Sequence, residues 1–121
     1  MLAANVEQKV SVDGKQIFGN IPEIRERSEL ERLVLALSFD ESWGARQAAA
    51  RKIGCLRDPI ALPALMAALT VDSFWMVRCA IIQALDRIGD PAALPVLRLT
   101  AESDEFKVVR EYAAKAVERL S

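Results

Sequence analysis

The hydrophobic positions of this chain recur every 32 residues, with the spacing of helices rather than strands. Within each unit apolar residues follow at i, i+4, i+8 and i+11, which places them on one helical face. Three stripes occupy equivalent places: Ala45, Ala49, Ile53, Leu56; Val77, Ile81, Leu85, Ile88; and Val109, Ala113, Val117, Leu120. A fixed period of this length is typical of stacked supersecondary units. We therefore predict a helical repeat protein without a single central core.

A second helix in each unit is predicted by a proline-containing turn. Asp58-Pro59 and Asp90-Pro91 begin this turn, and Pro63 and Pro95 follow four residues later. Proline inside a helix removes a hydrogen bond and clashes with the preceding turn, so a tight turn should precede helices that begin near the second proline. The inward residues of these helices are Leu62, Leu65, Leu69, Leu94 and Leu97.

The predicted unit is helix A, a short turn, helix B and a loop. A B helix at 23–38 comes first, followed by a repeat at 40–71, a repeat at 72–103 and a partial repeat at 104–121. We expect this HEAT-sized unit to build an all-α, right-handed α-α superhelix, a solenoid over residues 23–121.

Residues 1–22 do not follow the period and form a separate N-terminal extension. Apolar and polar residues alternate from Val10 to Phe18 around Asp13-Gly14, a dipeptide typical of hairpin turns. One interpretation is a strand pair that engages a partner. The other, which the marginal stability of an isolated hairpin favours, is an irregular or capping segment.

Composition argues against several classes of function. Lys and Arg number 16 against 17 Asp and Glu, so the net charge is -1 and the basic footprint of a nucleic-acid binder is missing. No apolar stretch approaches the length of a membrane span, and no secretory signal is visible. Because two cysteines are too few for a disulfide framework, we expect a cytoplasmic protein.

The chain contains no histidine, which removes the commonest general base and the commonest metal ligand. Cys55 and Cys79 lack the spacing of a zinc finger, and no acid–base partner is suggested near either. We expect both to be ordinary small residues, each partly exposed. We further expect no catalytic residue, no metal, no cofactor and no enzymatic activity.

Arg46, Arg78 and Arg110 form a row that admits two interpretations, a structural ladder or an anion site. Acids of the same repeat lie near each arginine in the sequence, and a guanidinium suits carboxylate bonds between stacked repeats. We therefore favour the ladder, with Arg110 the most available member. Its predicted residues are Arg46, Arg78, Arg110, Asp58 and Asp90. Asp40, Asp72 and Asp104 are expected to cap the A helices instead.

The B helices carry a second apolar face opposite their inward leucines. Equivalent positions on it are Ile60, Ala64, Ala67, Val71; Ala92, Val96, Leu99, Ser103; and Ser28, Arg32, Leu35, Phe39. In such solenoids the B helices line the concave side, where partners dock. We expect a groove centred on Leu35, Ala67 and Leu99, with Arg32 at one edge. The alternative is that neighbouring helices cover this face. Arg32, Ala64 and Val96 vary between repeats, so they would specify a partner.

Aromatic residues recur at the start of the A helices, where Trp43, Phe74, Trp75 and Phe106 lie. If exposed, they would form an edge of binding anchors. We favour the other interpretation, in which they close the gap between adjacent repeats.

The repeat resembles the HEAT-like repeats of the phycobilisome-lyase type. The residues that carry the resemblance are Val77-Arg78, Ala80, Leu85, Ile88-Gly89-Asp90-Pro91, Ala93-Leu94-Pro95 and Leu97, with Ala45-Arg46, Ala48-Ala49, Ile53, Asp58-Pro59 and Leu62-Pro63 in the first repeat. It spans residues 28–121. Arg57 stands where Gly89 does, which predicts a different turn there.

The leading functional prediction is a non-enzymatic protein–protein interaction or scaffold module that binds a partner along the B-helix face. The resemblance implies an alternative, a subunit or chaperone-like component of a phycobiliprotein bilin lyase. A third hypothesis is self-association through the incomplete C-terminal repeat.

Overall fold

The computed structural model describes residues 22–121, and the predicted hairpin at 10–18 lies outside them. Within this range the helices are α1 (Pro22–Phe39), α2 (Trp43–Leu56), α3 (Leu62–Val71), α4 (Trp75–Ile88), α5 (Leu94–Ser103) and α6 (Lys107–Leu120). The described residues contain no strand. The prediction of an all-α chain is therefore confirmed.

The chain divides into two compact units, residues 1–32 and 33–121. The first contributes the N-terminal part of α1 to the described residues. In the second, α4 packs against α2, α3 and α6, while α5 packs against α3 and α6. The A helices α2, α4 and α6 therefore stack in chain order, and each of the B helices α3 and α5 packs on the A helix that follows it.

The core of the second unit is centred on α4, which is buried on nearly all sides. Its buried residues are Val77, Arg78, Cys79, Ala80, Ile81, Ile82, Ala84 and Leu85. The predicted stripes supply Ile53, Val109 and Ala113 from the helices on either side. Leu56 is a correction: it is the last residue of α2 and is exposed.

Helices α2 and α4 approach each other closely at Gly54. A Cβ atom on Gly54 would lie 2.9 Å from the Ala84 Cα atom and 3.1 Å from its Cβ. Ala50, one turn earlier on α2, is fully buried. Small residues on both helices therefore set the distance between these two repeats.

The proline-containing turns have the predicted form. Pro59–Ala61 and Pro91–Ala93 are 3-10 turns, after which α3 and α5 begin at Leu62 and Leu94. Asp58 and Asp90 stabilise these turns, since their Oδ1 atoms accept the N–H groups of Ile60 (3.0 Å) and Ala92 (2.9 Å). The second proline of each pair lies in the first turn of the α-helix, where its missing N–H leaves no bond unmade.

The turn after α2 contradicts the expectation drawn from Arg57. Arg57 has φ 55° and ψ 30°, and Gly89 in the next repeat has φ 76° and ψ 20°. Both residues donate their N–H to the carbonyl four residues earlier, at Ile53 and Leu85. The two turns are therefore the same left-handed helix end, although arginine adopts this conformation less readily than glycine.

The aspartates before the A helices do not cap them as predicted. Asp40, Asp72 and Asp104 each accept, through Oδ1, the N–H two residues later, at distances of 2.9, 3.0 and 2.9 Å. This is the aspartate turn, in which the side chain folds back on its own backbone. The cap of α2 is Ser42, whose hydroxyl accepts the Ala45 N–H at 3.3 Å. The second carboxylate oxygen of each aspartate is left for another donor.

Candidate functional site

Arg46 joins the first full repeat to the second. Its Nε and Nη2 donate to Oδ2 and Oδ1 of Asp72 at 2.8 and 3.3 Å. Its Nη1 donates to the backbone carbonyls of Asp40 (2.9 Å) and Glu41 (3.2 Å). The guanidinium thus ties the loop before α2 to the aspartate that precedes α4.

Arg78 repeats this arrangement one unit later and is more deeply buried, with 8% of its surface exposed. Nε and Nη2 donate to Asp104 Oδ2 and Oδ1 at 2.8 and 3.0 Å, and Nη1 donates to the Asp72 carbonyl at 2.9 Å. Its guanidinium carbon also lies 5.8 Å from the centre of the Phe106 ring. Paired, forked bonds of this kind suit arginine better than lysine.

The acids that pair with these arginines differ from those predicted. Asp72 and Asp104 accept the forked bonds, whereas Asp58 and Asp90 accept backbone N–H groups of the 3-10 turns. The physical reason is the aspartate turn before each A helix, which leaves one carboxylate edge directed at the arginine of the preceding repeat. We refer below to Arg46–Asp72 and Arg78–Asp104 as the inter-repeat pairs.

The Asp104 carboxyl is tuned by this pairing. Burial by itself would raise its pKa, but the hydrogen bonds from the Arg78 side chain and the Phe106 amide, with the charges of Arg78 and Arg110, hold the pKa below its ordinary value. The carboxylate is therefore ionised wherever the fold is stable. A buried pair of this type is costly to break, because the remaining charge loses its partner.

Arg110, the third arginine, has only part of this arrangement. Its Nη1 donates to the Asp104 carbonyl at 2.6 Å. Among the described residues its side chain meets no carboxylate within salt-bridge distance. Arg110 therefore offers a carboxylate-binding edge that Arg46 and Arg78 have already filled.

The aromatic residues stack across the same repeat junctions. The rings of Trp43 and Phe74 lie 4.5 Å apart at 27°, and those of Trp75 and Phe106 lie 6.1 Å apart at 19°. Each pair joins one repeat to the next, although Trp43 and Phe106 keep 42% and 38% of their surface exposed. Most of their contact is therefore with neighbouring repeats, and an outer edge remains open to solvent.

The B-helix face of the second unit is open to solvent. Leu35 and Leu99 are each 59% exposed, and Phe39 and Val71 are 77% and 79% exposed. Ala67 is exposed as well. Ala64 and Val96 are partly exposed. We use the name B-helix face for Leu35, Phe39, Ala64, Ala67, Val71, Val96 and Leu99.

A cavity of about 530 Å³ opens on this face between residues 37–40 and α3. Its apolar wall includes Leu37, Phe39, Ala64, Ala67 and Val71, and its polar rim includes Asp40, Arg46 and Asp72. The structure thus brings Ala64 and Ala67 together in one cavity. Of the other predicted groove residues, Leu35, Val96 and Leu99 do not line it.

Two cavity residues were on the predicted apolar face but outside the predicted groove. Phe39 and Val71 end α1 and α3, where side chains at equivalent positions project beyond the helix. Their place in the 32-residue period was the available signal. Arg32, the predicted groove edge, is exposed but belongs to the first unit.

The cysteines offer no reactive centre of the usual kind. Cys79 is buried in α4, which corrects the expectation of partial exposure, and burial raises the pKa of its thiol. The nearby Arg78 charge opposes this shift and the Asp104 charge adds to it. Cys55 is exposed. Within residues 22–121, no group of three or more potential acidic or cysteine ligands is placed to hold a metal ion.

Membrane crossing is addressed by the helices themselves. In the part of the chain that the structure describes, no helix combines the length and the apolar character needed to span a bilayer.

Stacked helix pairs, turns placed by two prolines and arginine–aspartate pairs between repeats define a helical repeat solenoid. The comparison with protein families matches HEAT repeats over residues 30–118, so this chain belongs to the HEAT repeat family. The family assignment and the HEAT-like solenoid fold are thereby confirmed at the level of the repeat, and the match carries no phycobilisome-lyase assignment. A search of curated proteins gives no match. HEAT repeats generally mediate protein–protein interaction.

Proposed function

We propose that this chain is a non-enzymatic interaction module that binds an apolar segment of a partner protein along the B-helix face. The observation that carries the proposal is the exposure of Leu35, Phe39, Val71 and Leu99 on successive B helices. Contiguous apolar surface of this kind marks binding sites in soluble proteins. Its alignment along the stack suits a helix or an extended segment that crosses several repeats.

The cavity beside α3 suggests how the partner is anchored. Ala64 and Ala67 form a small-residue wall, and Phe39 and Val71 project on either side. A leucine- or phenylalanine-sized side chain would fill this space, and burying one contributes about 1.5–3 kcal/mol. The rim of Asp40, Arg46 and Asp72 would remain polar around this apolar anchor, as is usual for interfaces.

Leu99→Glu tests the proposal. It places a charge on the B-helix face at a residue that is already 59% exposed, so the fold should tolerate it. Tagged wild-type chain and Leu99→Glu are used to capture proteins from the native cell, and the captured proteins are quantified by mass spectrometry. We expect at least one protein to be bound at least about tenfold less by Leu99→Glu, which corresponds to about 1.4 kcal/mol.

Leu56→Glu is the matched control, because Leu56 is an exposed leucine on an A helix. It should capture the same proteins as wild type. Circular dichroism should show equal helicity for all three chains. Equal capture by Leu99→Glu and wild type contradicts the proposal, as does a loss of helicity on Leu99→Glu, which would make this face part of the core.

The finer resemblance to phycobilisome-lyase repeats remains a separate hypothesis that rests on sequence alone. Incubation of the chain with a bilin, with and without a biliprotein, tests it by visible absorbance. An unchanged spectrum in both mixtures contradicts pigment attachment and leaves the interaction proposal untouched.

A further inference from the structure

The series of inter-repeat pairs has two open ends within the described residues. Arg46 pairs with Asp72, and Arg78 pairs with Asp104, each 26 residues further along the chain. Arg110 meets no carboxylate at salt-bridge distance, and Asp40 meets no arginine there. One end of the stack therefore offers a guanidinium edge, and the other offers a carboxylate edge.

The carboxylate end already has the geometry of a filled pair. Asp40 Oδ1 accepts the Ser42 N–H at 2.9 Å, as Asp72 and Asp104 do from their own amides two residues later at 3.0 and 2.9 Å. This turn fixes the side chain and leaves Oδ2 available. Asp40 is exposed, so reaching it requires no rearrangement of the chain.

The guanidinium end is preset in the same way. Arg110 Nη1 donates to the Asp104 carbonyl, just as Arg78 Nη1 donates to the Asp72 carbonyl. In Arg78 the Nε–Nη2 edge is then bonded to a carboxylate. Holding Arg110 at one nitrogen reduces the side-chain entropy lost when an acid binds at the other two.

The helix faces at the two ends also match. On α4, Ala80 and Ala84 lie toward α2, and their equivalents on α2 are the exposed Ala48 and Lys52. Ile82 and Asp86 of α4 lie toward α6, and their equivalents on α6 are the exposed Ala114 and Glu118.

Each free face therefore carries one alanine, which allows close approach, and one charge. Lys52 on α2 and Glu118 on α6 have opposite signs, so the faces attract when α6 of one copy meets α2 of another.

We propose that a second copy of this chain docks head to tail, with Arg110 of one copy forked on Asp40 of the next copy. In this arrangement α6 packs against α2 of the following copy, in the way α2 packs against α4 within one chain. The contact uses different surfaces on the two copies, so it is heterologous and repeats into an open chain of subunits. It uses the ends of the A-helix stack and is independent of the B-helix face.

The experiment is sedimentation velocity on the full chain over a wide concentration range. Wild type should shift from monomer through dimer to larger species as concentration rises, and added salt should weaken the association because charge pairs carry it. Arg110→Gln and Asp40→Asn each remove one charge with little change in shape. Each should weaken association at least tenfold.

Mixing the two variants gives the sharpest result. Arg110 of the Asp40→Asn chain can still pair with Asp40 of the Arg110→Gln chain, but no further copy can add at either remaining end. The mixture should therefore form a one-to-one dimer and no larger species. Arg98→Gln and Glu102→Gln, which change exposed residues of α5, are the matched controls and should associate like wild type.

Several results would overturn head-to-tail docking. These are a wild-type chain that stays monomeric throughout, a wild-type association that stops at a dimer, and variants that associate as wild type does. Capture of a different protein through Arg110 by a monomeric chain would assign this edge to that protein instead. Leu99→Glu should sediment like wild type, so this proposal and the binding of a partner on the B-helix face fail separately.

Discussion

At the residue scale, the left-handed turn after α2 stores strain at Arg57. A residue with a Cβ atom pays roughly 1 kcal/mol or more for this conformation, and glycine does not. Arg57→Gly should therefore raise the free energy of unfolding by about 0.5–1 kcal/mol, after the larger unfolded-state entropy of glycine is allowed for. Urea denaturation measures the change. Gly89→Ala, in the equivalent turn, should lower stability by a similar amount, and a gain from Gly89→Ala would contradict the explanation.

The inter-repeat pair Arg78–Asp104 should matter more to stability than the exposed pair Arg119–Asp86. Side chains of the first pair are 10% and 8% exposed, whereas Arg119 is 62% exposed. Asp104→Ala leaves a buried guanidinium without its partner and should cost about 3–5 kcal/mol. Asp86→Ala should cost less than about 1 kcal/mol. Equal losses in urea denaturation would show that the buried pair has no special role.

The lowered pKa of Asp104 adds a pH dependence to the same pair. Because its pKa is lower folded than unfolded, its contribution is complete above the unfolded value and is lost as pH falls through the folded value. Thermal melting of wild type should therefore become easier as the solution is acidified, and Asp104→Ala should show a flatter acid limb. Parallel limbs would contradict this assignment.

Sequence reasoning found the arginines but chose the wrong acids for them. Asp58 and Asp90 are as close in sequence to Arg46 and Arg78 as the true partners appear distant. The partner was decided by the aspartate turn, which depends on three-dimensional placement of the next repeat. The same holds for Arg57, since its left-handed turn is imposed by the helix packing around it and is not favoured by its residue type.

At the element scale, the closest helix contact is between α2 and α4. Alanine is the better helix former by about 1 kcal/mol. Gly54→Ala should nevertheless destabilise the chain by about 1–3 kcal/mol, because the new Cβ would lie 2.9 Å from backbone at Ala84 and force the helices apart. Thermal unfolding measures this effect.

Gly44→Ala is the matched control, since its Cβ would meet only the Ser42 hydroxyl at 3.6 Å. It should be neutral or stabilising. If Gly54→Ala were equally well tolerated, the two helices would not be held at the distance that the structure shows.

The elements themselves were largely predictable. Apolar periodicity gave the helices, and the paired prolines gave the start of α3 and α5, because both signals act locally. The burial of α4 on nearly all sides was not predictable from its own stripe. It follows from having a repeat on either side, which turns positions such as Cys79 and Ile82 into core.

At the scale of the whole molecule, regular stacking leaves surfaces that the repeats do not use. The inward leucines are covered by neighbouring helices, whereas Leu35, Val71 and Leu99 are not. Sequence alone placed these residues on one face but left open whether neighbours covered it. The cavity beside α3 was beyond sequence reasoning, because it depends on how the end of α1 lies beside that helix.

Partner binding on the B-helix face is tested most directly by hydroxyl-radical footprinting of the chain, free and with a captured partner. Leu35, Phe39, Val71 and Leu99 are exposed on this face, and Tyr112 is exposed on α6 as an internal reference. We expect labelling of the four B-face residues to fall on binding and labelling of Tyr112 to stay constant. Unchanged labelling of the four residues, with protection elsewhere, would contradict binding at this face.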